Sequence, residues 1–80
     1  MIELVIGVTF VKVVPGQEKV VYNSILKIQG IQDVYHTFGE FDFIVISKVD
    51  GLSDLNKLVD TIRESKNITA TNTILGAELY

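Results

Sequence analysis

From Glu3 to Val14 the chain is dense in β-branched and aromatic residues, and this predicts a long strand. Leu4, Ile6, Val8 and Phe10 fall on one face of it, and Val5, Gly7, Thr9, Val11 and Val13 on the other. Pro15-Gly16 ends the strand, because proline has no N–H for a ladder. The pattern then changes period. Val21, Ile25 and Ile28 recur at i, i+4 and i+7 with Tyr22 beside them, predicting a helix over about 17–29 closed by Gly30. Strand patterns return at Ile31–Phe38 and Phe41–Val49, with only Gly39-Glu40 between them, which predicts a tight hairpin. Asp50-Gly51 leads to a second helix over about 53–66, with its stripe at Leu55, Leu58, Val59 and Ile62. Ser53 or Asp50 is available as its N-cap, and Asp54 suits the positive end of its dipole. After Asn67, residues 68–79 read as a last strand rich in threonine and isoleucine.

The order β-α-β-β-α-β is that of an α+β, ferredoxin-like fold. Right-handed crossovers put both helices on one face of a four-stranded antiparallel sheet. The two apolar stripes can cover that face, and nothing else in the pattern covers the other. A solvated face calls for polar residues at alternate positions. The first strand is instead apolar on both sides, and the third sets Phe41, Phe43 and Val45 against Ile44 and Ile46. Burying such side chains is worth roughly 1.5–3 kcal/mol each, so an exposed patch of them is a liability for a monomer. The sheet is therefore expected to pair with that of a second copy about a two-fold axis.

Composition narrows the class. Eighty residues form one domain, taken as 1–80, and 48% apolar against 21% charged residues is the balance of a folding chain. A formal net charge of −3 argues against direct DNA binding, which rests on clustered Lys and Arg. Lys57, Arg63 and Lys66 read as a solvated helix face. The absence of cysteine removes disulfides, thiolate nucleophiles and sulfur-ligated zinc. No dinucleotide fingerprint, phosphate loop, H-E-x-x-H or G-x-S-x-G elbow occurs, so no cofactor is called for. The apolar N-terminal stretch is broken by Glu3 and Lys12 and lacks the basic start of a signal peptide. The expected location is the cytoplasm, away from any membrane.

Three places carry candidate chemistry. His36 is the sole histidine, with Glu40 and Asp42 across the turn; it reads as a surface or interface residue unless those groups converge. In Gly39-Glu40-Phe41-Asp42-Phe43, the glycine frees backbone N–H groups at a sharp turn, with two carboxylates close by. A zwitterionic amino acid needs that combination of donors for its carboxylate and an acid for its ammonium, although an Asx turn has the same pattern. Thr69, Thr71 and Thr73 present three hydroxyls on one strand face, as a ligand contact or as good strand formers.

Together these residues resemble a known family. Ile31-Gln32-Asp33-Val34, Gly39-Glu40-x-Asp42-Phe43, Asp50, and Ile68-x-x-Thr71-x-Thr73-Ile74-Leu75 are similar to the effector-binding (RAM) domain of the Lrp/AsnC regulators, over about residues 2–77. The resemblance implies a βαββαβ unit that dimerises through its sheet and assembles further. It also implies small amino acids bound between dimers, shifting assembly or DNA affinity. Carried over by position, it places Gly39, Glu40 and Asp42 at the ligand-facing turn, with Asp42 on the ammonium and the backbone near Gly39 on the carboxylate. Thr71 and Thr73 add hydroxyl contacts. Lys66-Asn67 stands where relatives often have Pro-Gly, a difference confined to a loop. Full-length members carry a helix-turn-helix domain before the first strand, so this chain is expected to be a stand-alone form. It is then expected to modulate transcription as a homo-oligomer or by co-assembly with full-length relatives. Two other readings fit the same size and pairing. One is a small dimeric barrel enzyme of the cofactor-free monooxygenase type using His36 or Asp42, which requires a closed cavity in each protomer. The other is a ligand-free assembly adaptor.

Overall fold

The computed structural model describes residues 4–77. Its elements are β1 (Val5–Val13), α1 (Glu18–Leu26), β2 (Ile31–His36), β3 (Phe43–Val49), α2 (Leu52–Arg63) and β4 (Ile68–Ala77). The four strands form one sheet in the order β2-β3-β1-β4, every adjacent pair antiparallel. This is the expected ferredoxin-like arrangement. The ends of the first and last predicted strands, at Glu3 and at Glu78-Leu79, lie outside the described residues.

Apolar spacing decides which side of each element is buried. Val21 and Ile25 of α1, with Leu58 and Ile62 of α2, meet Val11, Val13, Phe43 and Val45 in the main core. Leu55 and Val59 are also buried, over the β1–β4 side. The helix face holds two buried polar residues, Thr9 and Ser47. Since Thr9 and Val11 point to the helices, Ile6, Val8 and Phe10 point away from them. The register sets Val8 beside Ile46 and Ile74, and Phe10 beside Ile44. These residues form a continuous apolar face, with Phe41 folded back onto Phe10 at a ring separation of 5.6 Å. No described element lies over it.

Local endings differ from the periodicity in both helices and at the hairpin, and α2 stops at Arg63, not near Lys66, with the Ser65 N–H bonding back to the Ile62 carbonyl at 3.2 Å. Helix α1 stops at Leu26, not near Gln29, because its last turn tightens into i→i+3 bonds from Lys27 and Ile28. Ile28 still packs against the core, and Lys27, not Gly30, is the C-cap. The N-cap of α2 is Gly51, with no side-chain bond from Ser53 or Asp50. The hairpin is wider than two residues. Thr37 and Asp42 still pair, with the Thr37 N–H donating to the Asp42 carbonyl at 2.8 Å, so Phe38–Phe41 form a four-residue tip. Within it the Thr37 hydroxyl donates to the Phe41 carbonyl at 2.8 Å, a closure that side chains make and spacing does not reveal.

Candidate functional site: a hairpin and a groove on either side of β1

The hairpin tip is built from Gly39, whose φ of 125° lies in the region that favours glycine, and from Glu40, which is fully on the surface. Asp42 behind them is half-buried and already occupied on one side. Its backbone N–H donates to the Val11 carbonyl, and its Oδ2 accepts from the Val13 N–H, both at 2.8 Å. β3 has turned away at this level, so the carboxylate stands in for a ladder carbonyl and secures the end of β1. Oδ1 has no hydrogen bond among the described residues. His36 packs its ring against Phe43 at 5.1 Å and Phe38 at 5.5 Å. This is an aromatic cluster and not a general-base arrangement. Phe38 itself is 95% exposed.

Thr71 and Thr73 face the opposite way from the open sheet, on the side of α2. Thr73 lies opposite Thr9 on β1, and their hydroxyl oxygens are 3.1 Å apart. Thr71 accepts a hydrogen bond from Nε of Arg63 at 3.0 Å. The Thr69 hydroxyl donates to the Lys12 carbonyl at 3.2 Å, where the β1–β4 register shifts. The three hydroxyls of the T-x-T-x-T strand thus have three separate partners. Arg63 lies on the solvated face that the sequence predicts, its side chain 58% exposed, and is also tied to the strand beside it. The signal was present: Asn56, Asp60 and Arg63 recur at i, i+4 and i+7 beside the buried stripe, so they border the seam between α2 and β4.

One cleft of about 430 Å³ lies in that seam, bordered by Leu55, Val59, Asp60, Arg63, Thr73 and Leu75. A wider one of about 980 Å³ opens between the helices, near Lys27, Gly30, Lys57 and Leu58. Neither is lined by His36 or Asp42, and neither is a closed cavity. Among the described residues no group of three His, Cys, Asp or Glu is placed to hold a metal ion. Gly39, Glu40 and Asp42 are brought together, and so are Thr71 and Thr73. Strand β1 separates the two sets, by about 10 Å between Asp42 and Thr71 at two interstrand spacings. A single small ligand within one protomer touches one set and not both.

The sheet order, the G-x-x-D turn and the threonine strand now stand in one three-dimensional frame, and residues 6–77 match the Lrp/AsnC ligand binding domain. The chain belongs to that family. Among curated relatives, the HTH-type transcriptional regulator LysM of Sulfurisphaera tokodaii is 33% identical over 57 residues, 71% of this chain and 41% of that regulator. The chain spans about two fifths of the length of the LysM proteins it matches. A hypothetical protein from Pyrococcus horikoshii has the same fold with a TM-score of 0.83 and 27% identity, covering 90% of this chain and 88% of that one. A Neisseria meningitidis transcriptional regulator, solved as a complex with L-Met, superposes with a TM-score of 0.79 over 90% of this chain and 49% of its own, at 12% identity. This Lrp/AsnC domain is therefore the ligand-binding part of a transcriptional-regulator family, a regulatory class and not an enzymatic one. Among its described residues no helix is long and apolar enough to cross a membrane.

Proposed function

We propose that this Lrp/AsnC domain is a cytoplasmic amino-acid sensor whose assembly state responds to its effector. The observation that carries the proposal is the hairpin: exposed backbone at Gly39, Glu40 at the tip, and Asp42 with one carboxylate oxygen uncommitted. The effector carboxylate meets the turn backbone, and its ammonium meets Asp42 and Glu40. Thr71 and Thr73 lie across β1, so they complete the same site only if a second copy supplies them. The apolar face of Ile6, Val8, Phe10, Ile44, Ile46 and Ile74 supports pairing of two copies sheet to sheet, and larger assemblies built from those dimers. Transcription is then reached by co-assembly with full-length Lrp/AsnC regulators, since the chain's net charge is −3. Effector binding changes the assembly only to the extent that it favours one state over another.

Calorimetry against the twenty amino acids tests the sensor reading, with L-methionine first because a structural neighbour was solved with it. Saturable binding that Asp42→Asn abolishes is the expected result. The asparagine keeps an oxygen for the Val13 N–H while removing the charge. Binding that survives this substitution, or none at millimolar ligand, refutes the hairpin site. Sedimentation tests pairing separately. Ile46→Asp is expected to convert a dimer or larger species into an 8.9 kDa particle, and a wild-type monomer at micromolar concentration refutes the shared-cleft account. Assembly with no response to any amino acid would favour the adaptor.

A further inference from the structure

We infer that the groove between α2 and β4 is a second binding site, separate from the hairpin, for a monocarboxylate with a short apolar tail. It rests on the reading above only in sharing Thr71 and Thr73, and its own contacts need no second copy. Arg63 ends α2 and borders the groove, and its Nε is committed to Thr71 at 3.0 Å, which tethers a side chain that is otherwise 58% exposed. Its Nη1 comes no closer than 4.0 Å to Asp60 Oδ1, too long for a hydrogen bond, so the Nη edge keeps donors for a ligand. A guanidinium held in this way presents the planar fork that matches a carboxylate.

The floor supplies one more donor. Thr9 is fully buried, and its hydroxyl is paired with that of Thr73. Each hydroxyl carries a single hydrogen, so when Thr9 donates to Thr73, the Thr73 O–H is free to point into the groove. The walls select the rest of the ligand. Leu55 and Val59 close the inner side, and Leu75 leaves 54% of its surface bare at the mouth. About 430 Å³ suits a small molecule near the low end of ligand pockets. The charge of Asp60 beside Arg63 disfavours dianions such as phosphate esters and dicarboxylates. It also offers a partner to an α-ammonium, so the shared chemistry, a carboxylate and a short tail, covers both simple branched acids and apolar amino acids.

The test uses the full chain in two-dimensional ¹H–¹⁵N spectra, with isovalerate, L-leucine and the neutral isovaleramide as probes. Isovalerate is expected to shift the Thr73, Leu75 and Asp60 amides with saturation, and isovaleramide to leave them in place. Arg63→Gln is expected to weaken isovalerate at least tenfold, Arg63→Lys to retain part of it, and Asp42→Asn to change nothing in the groove. Spectral dispersion shows whether each variant is folded, and the lysine variant serves if the glutamine one is not. If L-leucine shifts the same amides, the natural source is an amino acid; if it moves only residues 37–42 while isovalerate takes the groove, the source is a simple acid and the two sites are distinct. Equal shifts with acid and amide, or no groove shifts with isovalerate at tens of millimolar, overturn the inference. Neither of those results bears on the hairpin, whose own test is loss of amino-acid binding in Asp42→Asn.

Discussion

The sheet beneath α1 and the sheet beneath α2 are made of different side chains. Under α1, Val21 and Ile25 meet Val11, Val13, Phe43 and Val45, and Leu58 and Ile62 from the later turns of α2 join the same layer, bulk packed against bulk. Under α2, Leu55 comes down on Gly7, flanked by the hydroxyls of Ser47, Thr9 and Thr73. A Cβ on Gly7 would lie 2.6 Å from Leu55 Cδ1 and 2.7 Å from Ser47 Oγ, closer than real contacts allow. The second helix can seat Leu55 at that depth only because the residues beneath it are small. Small residues there are also polar, and their hydroxyls pair with one another or with backbone, as Ser47 does with the Gly7 carbonyl at 3.3 Å. One half of the molecule is filled; the other is a lined seam. The seam is where Arg63 and a groove are found.

The contrast is broken most directly by removing bulk from the first half. Phe43→Ala is expected to destabilise the fold by about 3–5 kcal/mol, since it deletes a side chain only 2% exposed and empties the centre of the core. Urea denaturation measures it. The ladder end beneath that half gives the next largest effect. Asp42→Ala removes an ionised acceptor from the Val13 N–H, a loss of about 1.5–3 kcal/mol. Asn at this position recovers part of it, and hydrogen exchange at the Val13 amide reports the opening site-specifically. If Asp42→Ala leaves that amide protected, the carboxylate has no structural role and its whole function lies with a ligand.

The second half is probed by adding bulk. Gly7→Ala is expected to cost about 1–3 kcal/mol, less than the core truncation, because the nearest atoms are the movable ends of Leu55 and Ser47. A stabilising result would mean that α2 is not pressed against the sheet. The same variant is expected to shift amides along Leu55–Val59 while leaving those of Val21–Ile25 in place.

Periodicity made the layout legible, and bonds between distant residues made the rest illegible. Leu55, Leu58, Val59 and Ile62 announce a buried stripe, and the alternation of β1 assigns both faces correctly, down to Thr9 and Gly7 on the helix side. The same alternation exposes the uncovered apolar face. The hairpin is wider than the strand pattern predicts because its closure depends on the Thr37 hydroxyl reaching the Phe41 carbonyl, not on strand propensity. Turn chemistry and the family resemblance point to Asp42 as a ligand group; its structural bond to Val13 spans 29 positions and has no local signature. Arg63 and Thr71 are eight residues apart across a loop, so their contact follows from the crossover that lays α2 beside β4.

For the hydroxyl pair the pattern of effects matters more than their size, and it includes the smallest one expected, that of the double variant. Thr73→Val strips the partner from Thr9, whose hydroxyl is buried and out of reach of water, so it is expected to cost about 1–3 kcal/mol. Thr9→Val leaves Thr73 half-exposed, where water entering the groove replaces the lost bond, so its cost is expected to be smaller. Replacing both removes two polar groups together and is expected to be nearly neutral. With the double variant nearly neutral, the double-mutant cycle gives a coupling equal to the two single costs together, at least about 1–3 kcal/mol, read from urea midpoints at constant slope. Equal costs for the two single variants would show that water does not reach Thr73. In that case the second half of the sheet would be as dry as the first, and the groove would have no donor to offer from its floor.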